Sequence, residues 1–158
     1  MGTIVEGNVV VREARTDELA FAAQHYLGMR REVGWDDAEL DEDWQSRFIA
    51  TYERGARDGE LRYFVAEAEG AVVGSAVALI KRSLSDGYVR SKPIGYLANV
   101  YVDRDHRREG IGRALTTAAI DWLSSLDCGV VRLQASATGR QLYESMGFTS
   151  TMEMELTL

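Results

Sequence analysis

One cysteine, one proline, two histidines and two lysines are all that the 158 residues contain of these types, and each scarcity removes a class of explanation. Cys128 stands alone, so it forms no internal disulfide and suits a reducing compartment; before an apolar run it reads as a small buried side chain rather than a nucleophile. His25 and His106 are 81 positions apart, with no cysteine or second histidine at ligand spacing, and no metal site is expected. No run approaches the roughly 18 consecutive apolar residues of a membrane span. The start, Met1-Gly2-Thr3-Ile4-Val5-Glu6, lacks the basic and apolar regions of a signal peptide. A cytoplasmic protein without a membrane partner is expected. Basic residues are outnumbered, 18 against 25 acids, for a net charge of −7, which argues against nucleic acid as a partner. Lys81 and Lys92 against 16 arginines is a bias to which no function attaches.

What is present supports one domain: 46% hydrophobic content over this length builds a sizeable single core. Residues 1–8 read as a tail and 9–158 as the domain. Its most informative stretch is 97–115, where an apolar strand ending Val100-Tyr101-Val102 meets an amphipathic helix through Asp103-Arg-Asp-His-Arg-Arg-Glu-Gly-Ile-Gly-Arg113. Gly110 and Gly112 carry no Cβ, so the backbone can come close to a ligand. The helix opening there offers unpaired N–H groups and its positive end to the same spot. Arg107, Arg108 and Arg113 add charge-assisted donors. This is a pyrophosphate-holding turn; a helix start with merely solvated arginines is the alternative. With two glycines rather than G-x-G-x-x-G, and no Lys-Ser/Thr pair, it is neither a dinucleotide fingerprint nor a nucleotide P-loop.

Elsewhere, strands are expected over 8–12, 61–66, 72–80, 94–102, 130–135 and 149–157, with Glu69-Gly70 as a hairpin turn. Helices are expected from Thr16, where an N-cap oxygen precedes Asp17 and Glu18, and from about Asp41, where Trp44, Phe48, Ile49 and Tyr52 share a face. Others cover 112–126 and 138–146, the last closed by Gly147. Residues 81–93, holding Pro93, form a loop. The order β-α-α-β-β-β-α-β-α-β mixes an antiparallel meander with one βαβ crossover, an α+β fold on a mixed sheet.

The spacing Arg107-x-x-Gly110-x-Gly112 after this strand resembles the acetyl-CoA signature of the GNAT superfamily of N-acetyltransferases. A second piece, Leu133-Gln134-Ala135-Ser136 followed by Gly139-Arg140-Gln141-Leu142-Tyr143-Glu144-Ser145-Met146-Gly147-Phe148, is similar to that family's strand, short helix and Leu-Tyr-Glu-x-x-Gly-Phe ending. The resemblance covers about residues 9–158. It implies a GNAT acyl-CoA N-acyltransferase fold with splayed central strands, and acetyl transfer from acetyl-CoA, as cosubstrate, to an amine of a small molecule, amino acid or peptide. A non-catalytic acyl-CoA binding or sensing domain is the competing class, a structural interaction module the third, and a homodimer is compatible with either.

The resemblance also implies residue roles. The pantetheine arm would pair with the backbone of Val100, Tyr101 and Val102, one N–H there polarising the thioester carbonyl. Pyrophosphate would rest on the amides of Arg108, Glu109, Gly110, Ile111, Gly112 and Arg113, with Arg107 orienting the turn or the adenosine phosphates. Ser136 stands where relatives often carry asparagine near the pantetheine. Tyr143 would protonate the departing thiolate, packing in a core being its other reading. Many relatives carry a glutamate where this chain has Asn99, and an amide takes no proton at neutral pH. Either Asn99 holds a relaying water or a carboxylate replaces it, Glu32 first, then Asp36 and Asp37. Trp35 and Tyr88 are candidate walls of the acceptor pocket, core or rim being the alternatives. Residues 32–60 hold ten acids against Arg47, Arg54 and Arg57, which would draw in cationic amines if they border the acceptor site.

Overall fold

The computed structural model describes residues 3–5, 8–83 and 92–157. Six strands form one sheet in sequence order: β1 Thr3–Val5, β2 Val9–Glu13, β3 Leu61–Ala68, β4 Ala71–Lys81, β5 Ile94–Val102 and β6 Val130–Leu133. All neighbours run antiparallel except β5 and β6, which are parallel and joined by the crossover helix α3 (Ile111–Ser125). Helices α1 (Leu19–Glu32) and α2 (Trp44–Arg57) connect β2 to β3, and α4 (Arg140–Ser145) follows β6.

The chemistry of the sequence explains these elements. Glu69 and Gly70 both take positive φ, 50° and 83°, as a two-residue hairpin of matching twist requires. On α3, Ile111, Leu115, Ala119 and Leu123 recur on one face and are at most 1% exposed. They meet Val9, Val11, Phe64, Ala66 and Leu97 on one side of the sheet. Burying one such leucine contributes about 1.5–3 kcal/mol. The opposite side packs Leu19 and Ala22 of α1 and Tyr52 of α2 on Tyr63, Val65 and Val77.

The fold departs from the sequence reading at both ends. Thr3–Val5, read as part of a tail, pairs with Val9–Val11 as an edge strand. Residues 149–157, read as a strand, alternate apolar and polar side chains but make no ladder, and all are exposed. Alternation marks a strand-forming segment without supplying an edge for it. Thr16 opens a single turn, Thr16–Glu18, before α1, and α2 begins at Trp44, its first backbone bond running from the Arg47 N–H to the Asp43 carbonyl at 3.2 Å. Tyr88 and most of the expected 81–93 loop lie outside the described residues.

A buried ion cluster fastens the start of α1. Glu18, 3% exposed, takes both Arg12 guanidinium nitrogens at 2.7 and 2.8 Å and the Arg15 N–H at 2.8 Å. The Arg12 hydrogen bonds hold its carboxyl down at about 2, despite burial. A depressed carboxyl contributes stability that is complete above its unfolded value and lost as pH falls through the folded one. Acid titration of unfolding free energy is therefore expected to show a loss between about pH 4.5 and 2 that Glu18→Gln removes. An unchanged acid limb in that variant would contradict the assignment.

Candidate active site

The site begins where β5 and β6 part. Ile94–Leu97 pair with Val130–Leu133; from Ala98 to Val102 the β5 edge facing β6 has no strand partner among the described residues. Asp103 donates its N–H back to Val73 of β4 at 2.9 Å. By alternation, Val102 and Val100 direct their backbone groups into the opening. Arg107 Nε already donates to the Val102 carbonyl at 2.8 Å, so the Val102 N–H and both Val100 groups remain.

A bulge sits at the head of this edge. Pairing with β4 shifts register between Ser75 and Val77, and Asn99 takes φ 51°. Leu97 and Val100 pack toward α3, whereas Ala98 packs toward α1 and α2 and Asn99 reaches Tyr52 of α2. Two consecutive side chains thus share a face, which re-aims the strand. Asn99 Nδ2 donates to the Tyr52 hydroxyl at 2.7 Å, leaving Oδ1 as its acceptor. Burial pushes the Tyr52 phenol up to about 12.

The turn after β5 fits an anionic ligand. Arg108 and Gly110 take φ 70° and 79°, bending the chain into a concave path. The first bond of α3 runs from Ala114 N–H to the Gly110 carbonyl at 3.0 Å, so the amides of Ile111, Gly112 and Arg113 have no acceptor within the helix. A Cβ on Gly112 would come within 3.3 Å of Leu142 of α4, so that glycine also lets the two helices close. Ile111 buries its side chain and offers only its backbone. Arg107 lies 5.5 Å over the Tyr101 ring, and its Nη2 donates to Glu32 at 2.8 Å; Arg113 donates to Ser145 at 2.6 Å. Arg107 thus bolts the turn, while Arg108 and Glu109 are exposed.

Tyr143 stands on α4, the short helix that follows β6. It is half-buried against Phe148, ring centroids 5.7 Å apart, and its hydroxyl makes no hydrogen bond to the described residues. Burial pushes its phenol up, which keeps the proton on at neutral pH. Ser136 Oγ accepts from the Gly139 N–H at 3.1 Å, capping the approach to α4. Tyr143 and Ser136 line a groove of about 630 Å³ that continues past Tyr96 and Leu133 to residues 149–155.

Other expected site residues lie apart from Tyr143. Glu32, the last residue of α1, accepts from Arg107 and, at 3.4 Å, from Arg104, so it faces the turn with its charge matched. Trp35 is half-exposed beneath Arg30, whose guanidinium lies 4.7 Å from its ring. The acids of 32–60 are largely met by arginines: Asp37 by Arg31, Glu39 by Arg30, Asp41 and Asp43 by Arg47, Glu60 by Arg82. Asp36 caps a turn by accepting from the Ala38 N–H.

Sequence reasoning missed a polar cluster behind the bulge. His25 of α1, 7% exposed, has Nδ1 2.7 Å from Ser75 Oγ, Nε2 3.7 Å from Asp103, and its ring 5.1 Å from that of Tyr101. Facing a carboxylate, Nε2 carries the hydrogen, so Nδ1 accepts from Ser75. Burial lowers the imidazole's affinity for a proton, so it stays neutral there. An isolated histidine on an apolar helix face gives no signal of such partners.

No cluster of metal-ligating side chains occurs among the described residues, and no helix among them is long and apolar enough to cross a membrane. The opened strand pair, the concave turn and the crossover helix are those of an acyl-CoA-type transferase fold. The acetyltransferase (GNAT) family model matches residues 22–148, and the chain belongs to that family. It is 36% identical over 96 residues to human N-acetyltransferase 8, spanning 56% of this chain and 39% of that protein. It is 31% identical over 121 residues to the aminoglycoside N(6')-acetyltransferase type 1 of Stenotrophomonas maltophilia, 75% and 69% of the two chains. The chain thus spans less than half the length of the human relative. A GCN5-related N-acetyltransferase from Ralstonia eutropha JMP134 superposes with a TM-score of 0.83 at 28% identity, covering 95% and 98% of the chains. A predicted acetyltransferase from Clostridium acetobutylicum, with acetyl-CoA, superposes with 0.82 at 18% identity, covering 94% and 96%.

Proposed function

We propose that the chain transfers an acetyl group from acetyl-CoA to a primary amine of a small molecule, amino acid or peptide, by direct attack in a ternary complex. The observation that carries this reading is the unpaired Val100–Val102 edge followed by the amide-lined turn, with Tyr143 of α4, whose hydroxyl makes no hydrogen bond to the described residues, on the helix after β6. The turn amides from Arg108 to Arg113 hold the pyrophosphate, and Val100 and Val102 accept the pantetheine amides as an added strand would be accepted. The Val100 N–H stabilises the oxyanion as the amine nitrogen bonds to the thioester carbon. Tyr143 then gives its proton to the thiolate as the carbon–sulfur bond breaks, and Ser136 flanks the arm. The proton lost by the amine passes to a water held by the Asn99 carbonyl oxygen, since Glu32 is engaged by two arginines.

Acceptors are amines that bring positive charge. The relative from Stenotrophomonas maltophilia is an aminoglycoside acetyltransferase, and Glu42, Glu53 and Asp58 keep negative charge on the α2 side of the molecule. On this reading Trp35, half-exposed beneath Arg30, stands at the rim of the acceptor entrance. The competing reading, an acyl-CoA sensing domain, leaves the free, protonated Tyr143 hydroxyl without a task. Initial-velocity patterns that intersect when both substrates are varied would support direct attack; parallel lines would replace it with an acetyl-enzyme route.

Glu32 supplies a separate test. As a tie between α1 and the turn, its exchange to Gln is expected to weaken CoA binding up to about fivefold, the scale of a partly exposed ion pair. Titration calorimetry and steady-state kinetics divide the outcomes: a raised KM for the amine with CoA affinity intact would instead return Glu32 to the acceptor side.

A further inference from the structure

A cavity of about 420 Å³ lies on the α1–α2 side of the sheet, between the end of β2, the second half of α2 and the start of β3. Leu19, Tyr52 and Tyr63, all buried, give it an apolar floor. Its walls stay apart because Ala14 and Ala56 present only methyl groups there. The sheet order sets β2 and β3 away from the β5–β6 opening, and neither Tyr143 nor the turn after β5 contributes to the lining.

Four charged side chains line this cavity, and two of them are already matched. Glu13 pairs with Arg62 at 2.8 Å, and Arg15 with Glu18 at 2.8 Å. The side chains of Glu53 and Arg57 make no ion pair or hydrogen bond to any described residue. They stand one turn apart on α2, the spacing at which a carboxylate and a guanidinium ordinarily meet each other. The cavity thus offers one unmatched anion and one unmatched cation as neighbours, over an apolar floor.

A ligand that satisfies both must carry an ammonium and a carboxylate close together on an apolar remainder, which is the chemistry of an α-amino acid with a large aliphatic or aromatic side chain. We propose that the cavity binds such a free amino acid as an effector, with its ammonium on Glu53, its carboxylate on Arg57 and its side chain against the Tyr52 ring. A peptide separates the two charges, and a fatty acid lacks one of them. Tyr52 belongs to both places, since its hydroxyl receives Asn99 Nδ2 at 2.7 Å. A ligand packed on that ring steadies Asn99 at the β5 bulge, so occupancy is felt in turnover. Binding stands without the catalytic reading; the effect on turnover rests on the role proposed for Asn99.

Calorimetry on the full chain with CoA present is expected to show L-phenylalanine and L-leucine binding at one site. Phenylalanine amide and hydrocinnamate, each lacking one charge, should bind about tenfold more weakly or worse, the scale of a lost hydrogen bond to a charged group. In Arg57→Gln the preference for phenylalanine over its amide should vanish. Ala56→Trp, which fills the cavity, should abolish binding with CoA affinity and melting temperature kept. Turnover of a cationic amine should rise severalfold with phenylalanine, which itself emerges unacetylated. No binding, equal binding of the single-charge compounds, or binding that survives Ala56→Trp would overturn the site, even in a chain without transferase activity. Binding that leaves the kcat of an active enzyme unmoved, or acetylated phenylalanine, would overturn the effector role.

Discussion

Gly112→Val is expected to weaken CoA binding at least tenfold while leaving a folded protein. At this position the backbone must serve two neighbours. Its amide is among those left open at the start of α3, and the space where a side chain would stand is bounded by Leu142 at 3.3 Å and Val102 at 4.0 Å. A branched side chain there pushes α4 from α3 and tilts the amides away from the ligand. Losing one hydrogen bond to a charged group costs about 1.5–3 kcal/mol, and each 1.4 kcal/mol is tenfold in Kd. Calorimetry with CoA, alongside a thermal melt, separates lost binding from lost fold. Unchanged affinity in the folded variant would remove the turn from the site.

Tyr143→Phe is expected to lower kcat by about 100- to 10,000-fold, the range of a positioned general acid, with CoA affinity nearly intact. The ring itself is part of the packing around Phe148, and phenylalanine keeps it, so the substitution deletes little beyond the hydroxyl. The pH profile adds a sign. Burial raises the phenol's affinity for its proton, so the acid form persists beyond the ordinary tyrosine range, and no loss of activity assignable to Tyr143 should occur below about pH 10. Wild-type turnover in the variant would leave Tyr143 a packing residue.

The parts of this protein written into its sequence are those decided locally. Glu69-Gly70 specifies a tight hairpin because one of its two residues enters the left-handed region freely. The glycines and arginines of 107–113 specify an anion-binding turn, and α3 shows its buried face by spacing. The bulge at Asn99 has no such mark, since it arises from how β5 registers against β4. Trp44, Phe48 and Tyr52 read as one packing stripe, which they are, yet Tyr52 also ends in a hydroxyl that fixes Asn99. Nothing near Glu32 in the sequence announces its partners, Arg104 and Arg107, which lie 72 and 75 positions along the chain. The 149–157 segment carries a strand's pattern, but the edge it needs is a property of the assembled sheet.

Acetyl transfer itself is read out by following labelled acetyl-CoA, incubated with a panel of cationic, neutral and anionic amines, by mass spectrometry. The expected result is acetyl label on amine nitrogen in step with free CoA, fastest for the cationic amines, with salt eroding that preference by screening. Tight CoA binding with the label still on the thioester across the whole panel would contradict transfer and make this a binding domain.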